Sequence, residues 1–360
     1  MQPIYREALI AMAAAMFVCA ILMPLLIKWS VPLRLVDQPN ERKLHKKPIP
    51  SIGGLVMGLS LLLVIPFSPA MQQLMQQYWP VGWVLLALML TGVLDDRLNL
   101  PAMLRLGIQV GAGVLMAYNG IRLHSLHGLF GIYDLPIGVQ YFLTVLLIAG
   151  ITNAFNLIDG IDGLAGSLAI INVAVFAVLA VLLGQQQWLA LLLPYLAVLA
   201  VFLVYNWRPA RLFMGDGGSL VFGFLFASLG IALVESAGAQ AKVAPQTVLA
   251  IISACLMVPA MDTLRVFYRR MRKGRSPFKA DKSHLHHWFV KQHLVHSQAT
   301  VRVIVFHVFL LLLSLVSIWW LPITLVILLQ AATVLVYTKL LQLSLQFHRW
   351  YKFIKRLEAA

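Results

Sequence analysis

Charged side chains are scarce in this 360-residue sequence. They make up 11% of it and hydrophobic residues 61%, whereas a soluble domain usually carries about 25% charged residues. Only two cysteines occur, Cys19 and Cys255, and both lie in apolar runs without metal-site spacing, as buried apolar residues do. The sequence contains neither a zinc-protease motif nor a Walker phosphate loop. This composition argues against a soluble domain and predicts an integral membrane protein.

Long apolar runs fill most of the chain. A helix needs about twenty apolar residues to cross a bilayer core of about 30 Å, and eleven such windows can be placed. We therefore predict an all-α, polytopic protein in which residues 1–360 form one membrane-embedded domain. The predicted spans are 8–28, 51–69, 79–94, 102–119, 137–157, 163–184, 188–206, 218–235, 247–266, 301–320 and 321–342. The expected cytoplasmic loops are about 29–50, 95–101, 156–162, 207–217 and 267–300.

Lysine and arginine are distributed unevenly among the predicted loops. If residue 1 is outside, 25 of the 28 basic side chains fall inside and only Arg6, Arg122 and Lys242 fall outside. The positive-inside rule then predicts an external N-terminus and a cytoplasmic C-terminus. Basic residues beside membrane spans contact anionic headgroups or substrates, which accounts for the net charge of +15 without a nucleic-acid partner.

Acidic residues gather at one membrane face. Ten of the thirteen map to the inside, and five of these lie at or beside helix ends: Asp95, Asp96, Asp159, Asp162 and Asp216. A single acid at such a place is often a hydrated cap, and Asp162 has the position of one. Adjacent carboxylates such as Asp95 and Asp96 instead repel each other unless a cation or basic partner offsets their charge. The set as a whole predicts a cation site at the cytoplasmic edge.

Amides and glycines accompany these acids in two segments. In "ITNAFNLIDGIDGL", residues 151–164, Asn153 and Asn156 are three apart and so share a helix face. In "GDGG", residues 215–218, glycines let the backbone approach a phosphate at a helix start. Oxygen ligands from Asp and Asn suit Mg²⁺, which commonly recruits substrate phosphates. These patterns favour metal-assisted diphosphate chemistry.

Two of the predicted inside loops are strongly basic. The first, about 29–50, contains Lys43 within a run of basic residues. A run of basic residues beside a membrane span usually binds lipid headgroups. The largest holds three histidines within four residues: His284, His286 and His287. This cluster could bind zinc, pack inside the structure or recognise phosphate. The sequence shows no further ligands that would complete a zinc site. Imidazoles among Arg and Lys favour hydrogen bonding to phosphate oxygens.

Four motifs together resemble a known family. They are "DD" at 95–96, "NAFNLIDGIDGL" at 153–164, "FMGDGGS" at 213–219 and "SHLHHW" at 283–288. Their order and membrane face are similar to those of the polyprenyl-phosphate N-acetylhexosamine-1-phosphate transferases, the glycosyltransferase 4 superfamily. Within it, "HLHH" resembles the His-x-His-His form of the undecaprenyl-phosphate GlcNAc-1-phosphate transferases, whereas the muramoyl-pentapeptide branch more often has three successive histidines. The resemblance extends over nearly the whole chain.

The resemblance implies a reaction. GlcNAc-1-phosphate would pass from UDP-GlcNAc to undecaprenyl phosphate, giving undecaprenyl-diphospho-GlcNAc and UMP, with Mg²⁺ or alternatively Mn²⁺ as cofactor. The product would start O-antigen, enterobacterial common antigen or a related surface glycan. A multi-pass protein of the bacterial inner membrane is implied, with its active site on the cytoplasmic side.

The resemblance also implies roles for single residues. Asp216 with Asn156 would hold the metal on the donor diphosphate, and Asp159 and Asp162 would line the nucleotide side of the cleft. Asp95 or Asp96 would orient or deprotonate the lipid phosphate, or one of them would act as a covalent nucleophile; the sequence does not choose. The implied phosphate-binding residues are Lys43, Arg105, His284, His286 and His287.

Other functions stay open at this point. The same chemistry could use another UDP-N-acetylhexosamine or UDP-MurNAc-pentapeptide. A transporter of an anionic solute is the alternative from another class, but its charges are expected near the bilayer midplane and not at the cytoplasmic edge. Formation of a homodimer is also left open.

Overall fold

A computed structural model of the chain describes residues 3–37, 48–238, 243–274 and 296–358, with side chains described through residue 347. Most of these residues are helical. The helices are α1 (Pro3–Trp29), α2 (Gly53–Val64), α3 (Pro69–Gln77), α4 (Trp79–Leu98), α5 (Ala102–Tyr118), α6 (Ile137–Ile158), α7 (Leu164–Leu182), α8 (Leu189–Asn206), α9 (Asp216–Ser236), α10 (Pro245–Met271), α11 (His296–Ser317) and α12 (Ile323–Glu358). Single 3₁₀ turns at Ile65–Phe67 and Gln186–Trp188 follow α2 and precede α8.

The helices confirm an all-α, multi-pass membrane protein. Within the described residues, eight are long and apolar enough to cross a membrane, and the bent pair α2 and α3 would make nine. Helices also occupy the predicted spans 79–94 and 102–119, but α4 and α5 are not among those eight or nine, and α5 has only 17 residues. The count of eleven spans and the orientation of the termini therefore stay predictions.

The second predicted span, 51–69, is not one straight helix. Its helical part ends at the 3₁₀ turn, and α3 leaves at an angle of 104°. Pro66 and Pro69 flank Ser68, which is extended and accepts a hydrogen bond from the Met71 amide as the N-cap of α3. Proline without an amide hydrogen and a serine cap are typical of a helix start, so a new helix begins here.

Two short antiparallel strand pairs were not predicted. β1 (Val36–Asp37) pairs with β2 (Ile49–Pro50), and β3 (Ser125–Leu129) pairs with β4 (Ile132–Asp134). In the second hairpin Gly128 and Gly131 adopt positive φ angles, a conformation that glycine tolerates. The two pairs are small additions to a helical bundle.

Helix α9 lies at the centre of the bundle. It packs against α2, α4, α6, α7 and α10, and its phenylalanines at 222, 224 and 226 are fully buried. A helix that is apolar on all sides belongs in such a position. The residue that begins α9, Asp216, is therefore surrounded by the ends of neighbouring helices.

The predicted burial of the two cysteines is confirmed. Cys19 and Cys255 are completely buried. Asp262 pairs with Arg265 one turn later, at 2.6 Å between Oδ1 and Nη2. Both features are structural.

Candidate active site

The end of α4 presents Asp95 and Asp96. Asn99 ends the helix in a left-handed conformation, and its amide donates to the Asp95 carbonyl oxygen at 2.8 Å. The Leu100 amide donates to Asp95 Oδ1 at 2.7 Å. The turn thus fixes the carboxylate of Asp95, which is only 6% exposed.

Arg105 joins the two sides of the cluster. It lies in the first turn of α5, which the short α4–α5 turn brings back toward Asp95. Its Nη1 is 2.5 Å from Asp95 Oδ2 and 3.2 Å from Asp216 Oδ2. One guanidinium group therefore partly neutralises two carboxylates that are distant in sequence.

The start of α9 depends on Gly215 and Asp96. Gly215 has a φ of +72°, and a Cβ atom there would meet Asp96 Oδ2 and the Ser51 carbonyl oxygen. Asp96 Oδ2 accepts a hydrogen bond from the Asp216 amide at 3.1 Å. An acid from α4 thereby caps α9, where the helix dipole favours negative charge.

The segment that precedes α9 holds this start against α2. The Phe213 amide donates to the Pro50 carbonyl oxygen at 2.8 Å, and the Gly53 and Gly54 amides donate to the carbonyl oxygens of Phe213 and Met214 at 3.0 and 2.7 Å. The segment before Asp216 is therefore fixed by main-chain bonds.

Asn156 brings α6 to the same place. Its Nδ2 donates to Asp216 Oδ1 at 2.8 Å and to Ser219 Oγ at 2.9 Å. Ser219 was missed among the sequence predictions, although it lies three residues after Asp216 and hence on the same helix face. That spacing is the signal that could have found it.

Asp159 follows directly after α6. It is half-buried, and burial raises the pKa of its carboxyl group to about 7. Burial, and after it repulsion from Asp216, Asp95 and Asp159, raises the pKa of the Asp96 carboxyl group. Asp159 therefore belongs to the acidic cluster, which we define as Asp95, Asp96, Asp159 and Asp216.

Asp162 has different partners, although it is only three residues away. Its Oδ1 lies 3.2 Å from His296 Nδ1, its Oδ2 accepts from the Ala210 amide at 3.2 Å, and its carbonyl oxygen accepts from the Thr300 hydroxyl at 2.7 Å. Burial would raise the pKa of Asp162, but the hydrogen bonds from His296 and Ala210 outweigh it and hold the pKa below its usual value.

The segment before α7 is also held from α8. Gly163, with a φ of +75°, is the N-cap of α7 in place of the aspartate before it. Its amide donates to Asn206 Oδ1 at 2.9 Å, and Asn206 Nδ2 donates to the Leu212 carbonyl oxygen at 2.8 Å. Asn206, which is only 4% exposed, was not predicted from the sequence, because a lone polar residue at the end of an apolar run gives little signal.

The predicted site residues thus fall into three sets. Asp95, Asp96, Asn156, Asp159 and Asp216 come together with Arg105. Asp162 lies beside them in the chain but contacts other segments. Four predicted phosphate-binding residues lie outside the described residues: Lys43, His284, His286 and His287.

The donor atoms of the site fit a hard divalent cation. They are carboxylate and amide oxygens, the ligands that Mg²⁺ prefers, and among the described residues Arg105 pairs with two of the four acids, Asp95 and Asp216. Among the described residues, no three acidic, histidine or cysteine side chains converge enough to hold an ion by themselves. Mg²⁺ is commonly bound by one or two carboxylates together with substrate phosphates and water, and the residues present fit that mode.

Known proteins are similar to this chain over most of its length. The model of glycosyl transferase family 4 matches residues 78–234, which include every described member of the cluster. The undecaprenyl-phosphate alpha-N-acetylglucosaminyl 1-phosphate transferase of Escherichia coli (strain K12) is 31% identical over 279 residues, 75% of this chain and 72% of that protein. The chain belongs to glycosyl transferase family 4.

Two further relatives agree with this membership. The probable undecaprenyl-phosphate N-acetylglucosaminyl 1-phosphate transferase of Bacillus subtilis (strain 168) is 30% identical over 316 residues, 86% of each chain. The Yersinia pestis protein has the same name as the Escherichia coli protein. It is 29% identical over 282 residues, 77% of this chain and 75% of that protein. The resemblance seen in the four motifs is confirmed, and this family 4 member is a membrane-bound phosphosugar transferase.

Proposed function

We propose that the protein transfers GlcNAc-1-phosphate from UDP-GlcNAc to undecaprenyl phosphate, releasing UMP. The observation that carries the proposal is the meeting of Asp95, Arg105, Asn156 and Asp216 from four helices at one end of the bundle. The names of the Escherichia coli and Bacillus subtilis relatives support the acceptor and the sugar. In the reaction an oxygen of the lipid phosphate bonds to the sugar-linked phosphorus of the donor. The bond between that phosphorus and the bridging oxygen of the diphosphate breaks, and the oxygen leaves with UMP.

Both reactants are anions, so the protein must offset their repulsion. Arg105 binds two carboxylates through one nitrogen, Nη1. Its other N–H groups contact no acceptor in the described part of the chain and are proposed to donate to the lipid phosphate. Lys43 and the histidines His284, His286 and His287 are proposed to add positive charge around the diphosphate. The first roles to test are therefore those of Arg105 and the acids beside it.

We assign the metal to Asp216, with Asn156 as second ligand, and propose Mg²⁺, with Mn²⁺ as the alternative. When bound, the ion neutralises charge on the donor diphosphate. Asp96 keeps the Asp216 amide in place, and Ser219 orients the amide of Asn156. Asp159 faces the nucleotide side of the site in this proposal.

Asp95 and Asp96 permit two routes. In a one-step route, Arg105 contacts both the Asp95 carboxylate and the lipid phosphate, and Asp95 orients the lipid phosphate through this arginine. In a two-step route, one of these aspartates bonds to the sugar phosphate first, and UMP leaves before the lipid binds. Exchange of labelled UMP into UDP-GlcNAc without any lipid acceptor would occur only in the two-step route.

The decisive experiment offers the purified protein undecaprenyl phosphate with UDP-GlcNAc, UDP-GalNAc or UDP-MurNAc-pentapeptide, and measures UMP release. We expect release with UDP-GlcNAc and its loss in excess EDTA, restored by added Mg²⁺. Preference for another donor would correct the sugar, and undiminished turnover in EDTA would contradict the metal. If none of the donors releases UMP, and a solute flux appears in proteoliposomes, the protein would instead be a transporter.

The cellular setting is proposed on the same basis. The donor UDP-sugar is water-soluble, so the acidic end of the bundle is expected at the cytoplasmic edge of the bacterial inner membrane. The lipid product would enter synthesis of O-antigen, enterobacterial common antigen or a related surface glycan. Size measurement in detergent would decide between a monomer and a homodimer.

A further inference from the structure

An open apolar cavity separates α2 from α4 on one side of the bundle. The empty space between its lining residues, together with the solvent-open space at its mouth, is about 580 Å³. Residues of α8 and α9, among them Tyr195 and Phe222, form its back wall, and α3 lies across one end. Methionines line much of the rest: Met57, Met71, Met75 and Met89.

The cavity is closed toward the acidic cluster. The backbones of Gly54 on α2 and Gly218 on α9 touch, so that a Cβ atom on Gly54 would overlap the other glycine. Gly92 on α4 and Gly217 on α9 touch in the same way. At the start of α9, Asp96 of α4 and Ser51 before α2 both approach Gly215, so these contacts together close the space between the three helices on the side of the cluster.

The cavity is open toward the outer surface of the helical bundle. At its mouth Leu62 is 40% exposed, and Leu86 and Met75 are half-buried. Apart from the Tyr195 hydroxyl, the lining side chains carry no hydrogen-bonding group, so the cavity suits a hydrocarbon chain and not a polar headgroup. Methionine side chains adapt to such a guest because they are unbranched and flexible.

We propose that this cavity binds an acyl chain of a bilayer phospholipid. In a membrane the surrounding solvent is hydrocarbon, and a chain that fills the space restores dispersion contacts which an empty wall would lack. The chain would contact Gly218, Val221 and Phe222, which follow Asp216 within the first two turns of α9. The bound lipid stabilises the helix that carries the central acid of the cluster, whatever reaction the cluster performs.

The test uses delipidated protein in detergent and its melting temperature during titration with dioleoylphosphatidylethanolamine. Leu62→Trp combined with Leu86→Phe fills the mouth, and Leu312→Trp on α11, which is 56% exposed and outside the cavity, is the matched control. We expect a saturable rise for the wild type and the control. The filled variant should melt higher without lipid and lose most of the rise; an unchanged rise would overturn the proposal.

A second measurement keeps the test valid if the filled variant does not fold. The wild-type protein is photolabelled with a phosphatidylcholine that carries a diazirine in its acyl chain, and the labelled peptides are identified. We expect saturable label on Leu62 and Leu86 above that on Leu312, with no displacement by undecaprenyl phosphate. Equal labelling at all three positions would overturn the site, and displacement would assign it to the substrate tail instead.

Discussion

At the scale of single residues, the acidic cluster has more negative charge than its described partners can offset. Arg105 is shared by Asp95 and Asp216, and Asn156 donates to Asp216 without contributing charge. Asp96 and Asp159 have no basic partner among their described contacts. Such a site gains from a cation, and Asp216 is the carboxylate with which both the arginine and the amide are already in contact.

We therefore predict that Asp216→Asn lowers transfer by about 10²- to 10³-fold, the usual cost of removing one preorganised electrostatic group. The exposed Asp134→Asn on β4 is the matched control and should keep wild-type turnover. UMP release by purified variants measures the effect, and melting temperature verifies folding. Turnover near the wild-type rate in Asp216→Asn would remove this residue from the site.

Residue chemistry could be predicted from the sequence, but the partners of each residue could not. The stretch "IDGIDG" presents Asp159 and Asp162 in the same local setting. Asp159 nevertheless acts on Asp96 from α4, whereas Asp162 binds His296 and Ala210. Those partners come from segments far away in the chain, so local sequence holds no information about which aspartate meets which.

At the scale of elements, Asp162 joins the segment before α7 to the start of α11. Because its folded pKa lies below the unfolded value, its contribution to stability is present at neutral pH and is lost as the pH falls through that folded pKa. Asp162→Asn should therefore lower the melting temperature at pH 7, and the difference from the wild type should shrink only as the pH falls below about 4.

The matched control for Asp162 is again Asp134→Asn, which should melt like the wild type at every pH. His296→Ala should reproduce the loss at pH 7, since it removes the partner of the same carboxylate. If the melting temperatures of Asp162→Asn and the wild type differ by the same amount at every pH, the effect comes from the shape of the side chain and not from its charge.

The close approach of α4 to α9 rests on glycine. Gly92→Ala would place a methyl group on the backbone of Gly217, and overpacking of this kind costs about 1–3 kcal/mol. Gly111→Ala on α5 has nothing within 4 Å and should be neutral or slightly stabilising. Melting temperatures in detergent compare the two variants, and equal values would contradict the contact between α4 and α9.

Hydropathy predicted where most helices lie, but not how they bend or meet. The stretch "IPFSP", residues 65–69, contains the signals for the break between α2 and α3. The apolar residues around this stretch are nevertheless numerous enough for a membrane-spanning helix, and the length of the apolar run therefore predicted one unbroken span. The hairpin of β3 and β4 was missed because β4 has only three residues and the alternation of polar and apolar residues in β3 is interrupted at Gly128.

At the scale of the whole molecule, α9 connects two opposite ends. It begins with Asp216 in the acidic cluster and reaches Glu235, whose carboxylate accepts the His124 amide hydrogen at 3.0 Å next to β3. A helix of 21 residues is about 30 Å long, close to the thickness of a bilayer core. The cluster and the hairpin of β3 and β4 therefore lie on opposite faces if α9 crosses the membrane.

This arrangement turns the predicted orientation into a labelling experiment. The native cysteines are fully buried, so the wild-type protein should not react with a membrane-impermeant maleimide. Tyr133→Cys on the exposed hairpin should react in cells whose outer membrane alone is permeable, and Arg97→Cys, exposed beside the cluster, only after the inner membrane is opened. The reverse pattern would place the acidic cluster outside, away from cytoplasmic UDP-sugars, and would contradict both the orientation and the proposed donor. Reaction of both cysteines in intact inner membranes would instead mean that α9 does not separate the two faces.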